Sequence, residues 1–193
     1  MLASALAAVL LHIFPAPDGS VLDVQGMRTR LSSYTTGKVT LLSLIYTKCG
    51  DGRGCPLATF QMKQLKRRLD VEPGLGERVR LVSLSFDPEN DTPGVMRAYA
   101  ARHRAGEGPI PWHFLTTRSR ARVRPILEGF GQDVWRNSDR GGSLSHVLKL
   151  FLIDREGSVR EIYSTSFLEP EAILGDVRAL LGEEGSARAQ AAR

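Results

Sequence analysis

The sequence predicts an α/β domain, a mixed sheet with helices on its faces. Two observations carry this: unbroken apolar runs of strand length, and amphipathic helical stretches that alternate with them along the chain. A third is size: 193 residues, 42% hydrophobic and 24% charged, suit one compact core and no repeat architecture.

Lys38–Tyr46 (KVTLLSLIY) is almost wholly apolar, which is how a central strand covered on both faces reads. Arg78–Phe86 (RVRLVSLSF) reads as a second strand, and Val147–Ile153 (VLKLFLI) as a third. Asp154-Arg155-Glu156-Gly157 is a turn, so Ser158–Ser164 returns as the partner of a hairpin. Between the strands, Pro56–Asp70 reads as a helix with Leu57, Phe60, Leu65 and Leu69 inward and Lys63, Lys66 and Arg67 outward. Pro56 suits a first helical turn. Pro93–Arg104 follows Asp91 and Thr92, either of which is a capping residue. Arg118–Phe130 and Pro170–Leu181 complete the helices, and an early hairpin pairs Leu10–Phe14 with Met27–Leu31. A parallel pair extended by antiparallel strands is the thioredoxin-like layout, here with an extra N-terminal β-hairpin. The domain is expected over residues 9–181, with a flexible tail over 182–193. Residues 1–8 belong either to the remnant of a secretory or anchoring segment or to the approach to a first strand at Val9–Phe14.

The formal net charge is +5, spread over scattered arginines with no interleaved aromatics. That pattern describes a solvated basic face rather than a nucleic-acid surface. No stretch reaches the ~18 apolar residues of a membrane-spanning helix, so membrane association would run through an N-terminal anchor.

In open α/β sheets reactive groups gather at the carboxyl ends of the strands. The first central strand ends just before Cys49, and Cys55 opens the following helix. The pair is too small for a disulfide framework or for the whole of a closed four-ligand zinc site, which leaves it incidental, redox-active or part of an open metal site. Gly50, Gly52 and Gly54 let the intervening loop double back and bring the sulfurs together. The helix start, Lys48 and Arg53 are expected to favour thiolate at Cys55. Of the four histidines, His12 falls in the first strand, His103 on an exposed helix face and His113 at a strand start. His146 stands directly before the third core strand, where the layout passes the cysteine rim.

Several stretches are specific in combination. They are Tyr46-Thr47-Lys48-Cys49, Cys55-Pro56-Leu57, Ser85-Phe86-Asp87-Pro88-Glu89-Asn90-Asp91-Thr92-Pro93, and Ser145-His146-Val147 followed by Phe151–Gly157. With them the chain resembles the Sco/SenC family of copper-binding cytochrome oxidase assembly proteins, from about Ile13 to Leu181. The resemblance implies one copper ion, Cu(I) or Cu(II), held by Cys49, Cys55 and His146, with Asp87 close enough to tune the site. It implies a metallochaperone or thiol-redox assembly factor, not an enzyme, with an oxidase copper-binding subunit or another copper or thiol protein as partner. It also implies an extracytoplasmic location, periplasmic or membrane-tethered. Two departures are visible: five residues separate the cysteines, more than is usual in the family, and Ser145 stands where an acidic residue commonly precedes the histidine. The alternative function is a thiol–disulfide oxidoreductase using Cys49 and Cys55. A thioredoxin would carry Cys-x-x-Cys and a proline where Ser145-His146 stand. A peroxiredoxin would carry a proline upstream of its reactive cysteine, and none stands there.

Overall fold

The computed structural model describes residues 10–49, 55–103, 108–136, 144–164 and 169–191. Two parallel strands form the centre: β4, Val39–Ile45, and β5, Val79–Ser85, each buried along its whole length. Both faces are covered, which is why neither strand alternates in polarity. β5 pairs in parallel with β6, Trp112–Leu115. On the other side β4 pairs antiparallel with β9, Lys149–Ile153, and β9 with β10, Ser158–Ser164. The β9–β10 turn needs Gly157, at φ +90°, and Asp154 Oδ1 accepts the Ser158 N–H at 2.9 Å. β1, Phe14–Pro15, adds the outer strand, giving the order β1-β10-β9-β4-β5-β6 among the described residues. The buried serines between β4 and β5 satisfy one another: Ser43 Oγ lies 2.9 Å from Ser83 Oγ, which also accepts the buried Trp112 indole N–H at 3.1 Å.

The N-terminal hairpin exists, but its arms differ from the expectation. Its strands are β2, Ser20–Leu22, and β3, Arg28–Arg30, while the stretch expected as the first arm supplies β1 to the main sheet. His12 lies just outside β1, exposed, 3.8 Å from the Asp154 carboxylate.

After β3 comes a short helix, α1, Ser32–Thr35, and the major helix α2 spans Cys55–Asp70 and packs on β4. Its buried face is Cys55, Ala58, Thr59, Met62, Leu65, Lys66 and Leu69. Phe60, expected inside, is 54% exposed, and Met62 takes the core position at 0%. That exchange places about 2 kcal/mol of methionine burial where the sequence suggested an aromatic. Lys66, expected outside, is buried because its ammonium donates to Asp70 Oδ2 at 2.7 Å, and Asp70 Oδ1 accepts the Ile110 N–H at 3.0 Å. α3, Pro93–His103, is capped by Thr92, whose Oγ1 accepts the Val95 N–H. α4 spans Arg120–Gly129. α5 starts at Pro170 and continues to Ala191, past Leu181 and through most of the stretch expected as a flexible tail. α2 and α5 pack together on one face of the sheet.

The largest difference lies before β9. The run Val147–Ile153 is not one strand: Val147 is 52% exposed, and the core strand begins at Lys149. The residues ahead of it form β8, Leu144–His146, in a separate two-stranded ribbon with β7, Val134–Arg136. Register pairs His146 with Val134 on one face of the ribbon, and Ser145 with the exposed Trp135 on the other. Among the described residues no helix is long and apolar enough to cross a membrane.

Candidate metal centre

β4 and β5 run in parallel register, Ile45 opposite Ser85, so the next residues leave the sheet side by side. These are Tyr46 and Phe86, whose ring centroids lie 5.2 Å apart, with the Phe86 N–H donating to the Ile45 carbonyl at 2.9 Å. The His146 ring rests on both, 5.7 Å from Tyr46 and 5.0 Å from Phe86. Edge-on packing of this kind contributes about 0.5–1.5 kcal/mol per pair and fixes where the imidazole sits. The Tyr46 hydroxyl donates to the Leu144 carbonyl at 3.0 Å, which holds the ribbon to the sheet end.

Cys55, the first residue of α2, is buried, and its sulfur accepts the Tyr46 N–H at 3.3 Å. The same sulfur lies 3.3 Å from His146 Nε2. Cys49 is half-buried and completes a group in which one atom from each of Cys49, Cys55 and His146 lies within 4.8 Å of the others. It is the group of cysteine, histidine and acidic side chains able to hold a metal ion among the described residues. The glycine loop, with Asp51 and Arg53, falls outside those residues.

The expected lowering of the Cys55 thiol is reversed. Burial pushes its thiol far up, and the neighbouring Cys49 sulfur raises it further, against the lowering effect of the Tyr46 and Cys55 backbone N–H groups. Desolvation wins because Cys55, though first in α2, is almost wholly buried. Lys48, expected to add charge, donates to Asn90 Oδ1 at 2.7 Å. Burial, with the two sulfurs adding to it, also raises the Tyr46 phenol to about 12, so it stays a hydrogen-bond donor.

Asp87 is buried one residue beyond Phe86; its Oδ2 accepts the Asn90 amide at 2.7 Å, and Arg120 stands 3.9 Å from Oδ1. The acidic group tied directly to the cysteine arm is another one, Asp91. Its carboxylate accepts the Thr47 N–H at 3.0 Å, the Thr47 hydroxyl at 2.5 Å and the Ser85 hydroxyl at 2.5 Å. It is fully buried, and burial raises its carboxyl against the lowering by those hydrogen bonds. The signal was present in the sequence as Ser85 and Thr47 at the ends of adjacent strands, but the position before Thr92-Pro93 reads as a helix cap. His103, expected exposed, is half-buried with its ring 4.5 Å from Tyr99. His113 packs against Tyr34 at 5.0 Å.

The family model for SCO1/SenC matches residues 20–182. A curated relative, the SCO1 protein homolog of Bacillus subtilis, is 27% identical over 169 residues, covering 86% of this chain and 78% of its own. Solved structures align over nearly the whole domain. BsSco, described as a member of the Sco family of cytochrome c oxidase assembly proteins with a disulfide switch, is 26% identical with a TM-score of 0.69, covering 89% of this chain and 95% of its own. A SCO1/SenC family lipoprotein of Bacillus anthracis has a TM-score of 0.76 at 24% identity, over 90% of this chain and 98% of its own. Copper-bound ScoI of Arabidopsis thaliana shares the fold with a TM-score of 0.71 at 19% identity, over 86% and 98%. With most of its length under one family model, the chain belongs to the SCO1/SenC family.

Proposed function

We propose that this chain is a copper-binding metallochaperone and thiol-redox assembly factor for the copper centre of cytochrome c oxidase, with copper held by Cys49, Cys55 and His146. The observation that carries the reading is the meeting of two sulfurs and one imidazole within 4.8 Å at the rim of the sheet. The donor set fits: two thiolates suit soft Cu(I), and an added imidazole accommodates Cu(II). Copper-bound and oxidase-assembly relatives support it. The client is the copper-binding oxidase subunit, and the location is extracytoplasmic, in line with the lipoprotein relative. Asp87 acts indirectly, through Phe86 beneath the His146 ring.

Anaerobic titration of the reduced protein, with metal analysis, is expected to give one copper per chain. Apparent affinity should rise with pH, because copper must displace protons from thiols, and burial holds the Cys55 proton tightly. His146→Ala should weaken Cu(II) more than Cu(I). Equal binding by wild type and the Cys49→Ser, Cys55→Ser double variant would overturn the copper reading. The cysteine contact also supports a second reading, thiol–disulfide exchange, since the two side chains stand as adjacent thiols, not joined in a disulfide.

A further inference from the structure

Beside the sulfurs lies a cavity of about 350 Å³ lined by both cysteines, Phe60, Lys63, Tyr99 and His103, and not by His146. Its size falls in the range of roughly 300–1,000 Å³ that small-molecule sites occupy. Half-buried Cys49 presents its sulfur more openly than buried Cys55. Tyr99 is fixed by a 2.8 Å hydrogen bond to Thr59, and exposed Phe60 adds a second aromatic wall with no core role. Lys63 stands on the same helix as Cys55, and among the described residues no carboxylate pairs with it. A lysine ammonium lining the same cavity as two cysteines is complementary to an anion that carries sulfur.

We propose that this cavity admits a low-molecular-weight thiol bearing a carboxylate, which reduces a Cys49–Cys55 disulfide from the side away from His146. The inference rests on the thiol-redox half of the function proposed above. The carboxylate sits on Lys63, and His103 accepts or donates a hydrogen bond beside it. Burial, Lys63 and Arg102 all lower the His103 imidazole, which favours the neutral ring that can do either. The incoming thiolate attacks Cys49 Sγ. A new S–S bond forms as the Cys49–Cys55 bond breaks, and the electron pair leaves on Cys55 Sγ, which takes a proton. A second thiolate attacks the ligand sulfur of the mixed disulfide, releasing the ligand's symmetrical disulfide and Cys49 as thiolate, which is then protonated. The protein gains two electrons and two protons, and two thiols are oxidised to one disulfide.

The test uses metal-free full-length protein oxidised with diamide and reduced by three thiols of similar size: 3-mercaptopropionate, 2-mercaptoethanol and cysteamine. Second-order rates are corrected for the thiolate fraction and followed by thiol titre and mass. At low salt the wild type should favour the anionic over the cationic thiol by about tenfold. Lys63→Arg should keep that order and Lys63→Glu should reverse it, while copper stoichiometry of the reduced variants stays at the wild-type value. The same order of rates in wild type and Lys63→Glu would overturn the proposal. So would reduction by a thioredoxin-type protein dithiol alone, with every small thiol no faster than on an exposed model disulfide. Failure of the two cysteines to form a disulfide at all would also overturn it, yet leave copper binding by the reduced pair intact.

Discussion

The two arms that meet at the candidate metal centre are built differently. The cysteine arm grows out of β4 and α2, elements buried in the main core, and is tied down by a fully buried carboxylate. The histidine arm is a short ribbon outside the main sheet, intermediate in burial, docked through ring packing and the Tyr46–Leu144 hydrogen bond. Sulfur positions are therefore set by elements of the main core, whereas the imidazole is carried on a ribbon outside it. Local opening costs least where few buried contacts must be broken, so the ribbon is the arm expected to move.

The strongest way to break this contrast is to attack the anchor of the cysteine arm. Asp91→Ala leaves the Thr47 N–H, the Thr47 hydroxyl and the Ser85 hydroxyl without their acceptor in a buried site. The expected loss is about 3 kcal/mol of stability, read from urea unfolding of the reduced metal-free protein. A loss near zero would mean that the arm is held by something other than this carboxylate.

The ribbon should respond more mildly. Tyr46→Phe keeps the ring under His146 and removes the hydroxyl that donates to Leu144 O and also meets the Cys49 sulfur, at a cost of about 1 kcal/mol. Hydrogen exchange should accelerate at residues 144–146 and stay unchanged in β4 and β5. Uniform acceleration would show that the ribbon is not an independent unit.

The smallest effect tests the face of α2. Phe60→Ser should change stability by no more than about 0.5 kcal/mol, because the side chain is mostly outside the core. A loss of several kcal/mol in the same urea assay would restore the sequence-based face.

That last case shows what could be read in advance. The β4 and β5 runs were legible because burial on both faces leaves no polar alternation to misread. The placement of Cys49, Cys55 and His146 at one rim followed from where those strands end and from the family motifs. On α2 the inward Leu65 and Leu69 were legible, but the first turns were not, because small Ala58 and flexible Met62 carry the face there while the larger Leu57 and Phe60 lie off it. The start of β9 was hidden too: Val147 extends an apolar run whose first residue faces solvent. Asp87 and Asp91 share one motif, and only the fold shows that Thr47 and Ser85 converge on the second of them.

The chain has two tryptophans, and the fold has put one on each side of this contrast. Trp112 is buried in β6, with its indole N–H bound to Ser83, while Trp135 projects into solvent from the ribbon that carries His146. Their fluorescence is therefore separable: iodide reaches Trp135 and not Trp112, and the buried indole emits at shorter wavelength. The protein thus carries an internal reference lamp in its core and a second one on the arm that brings the imidazole.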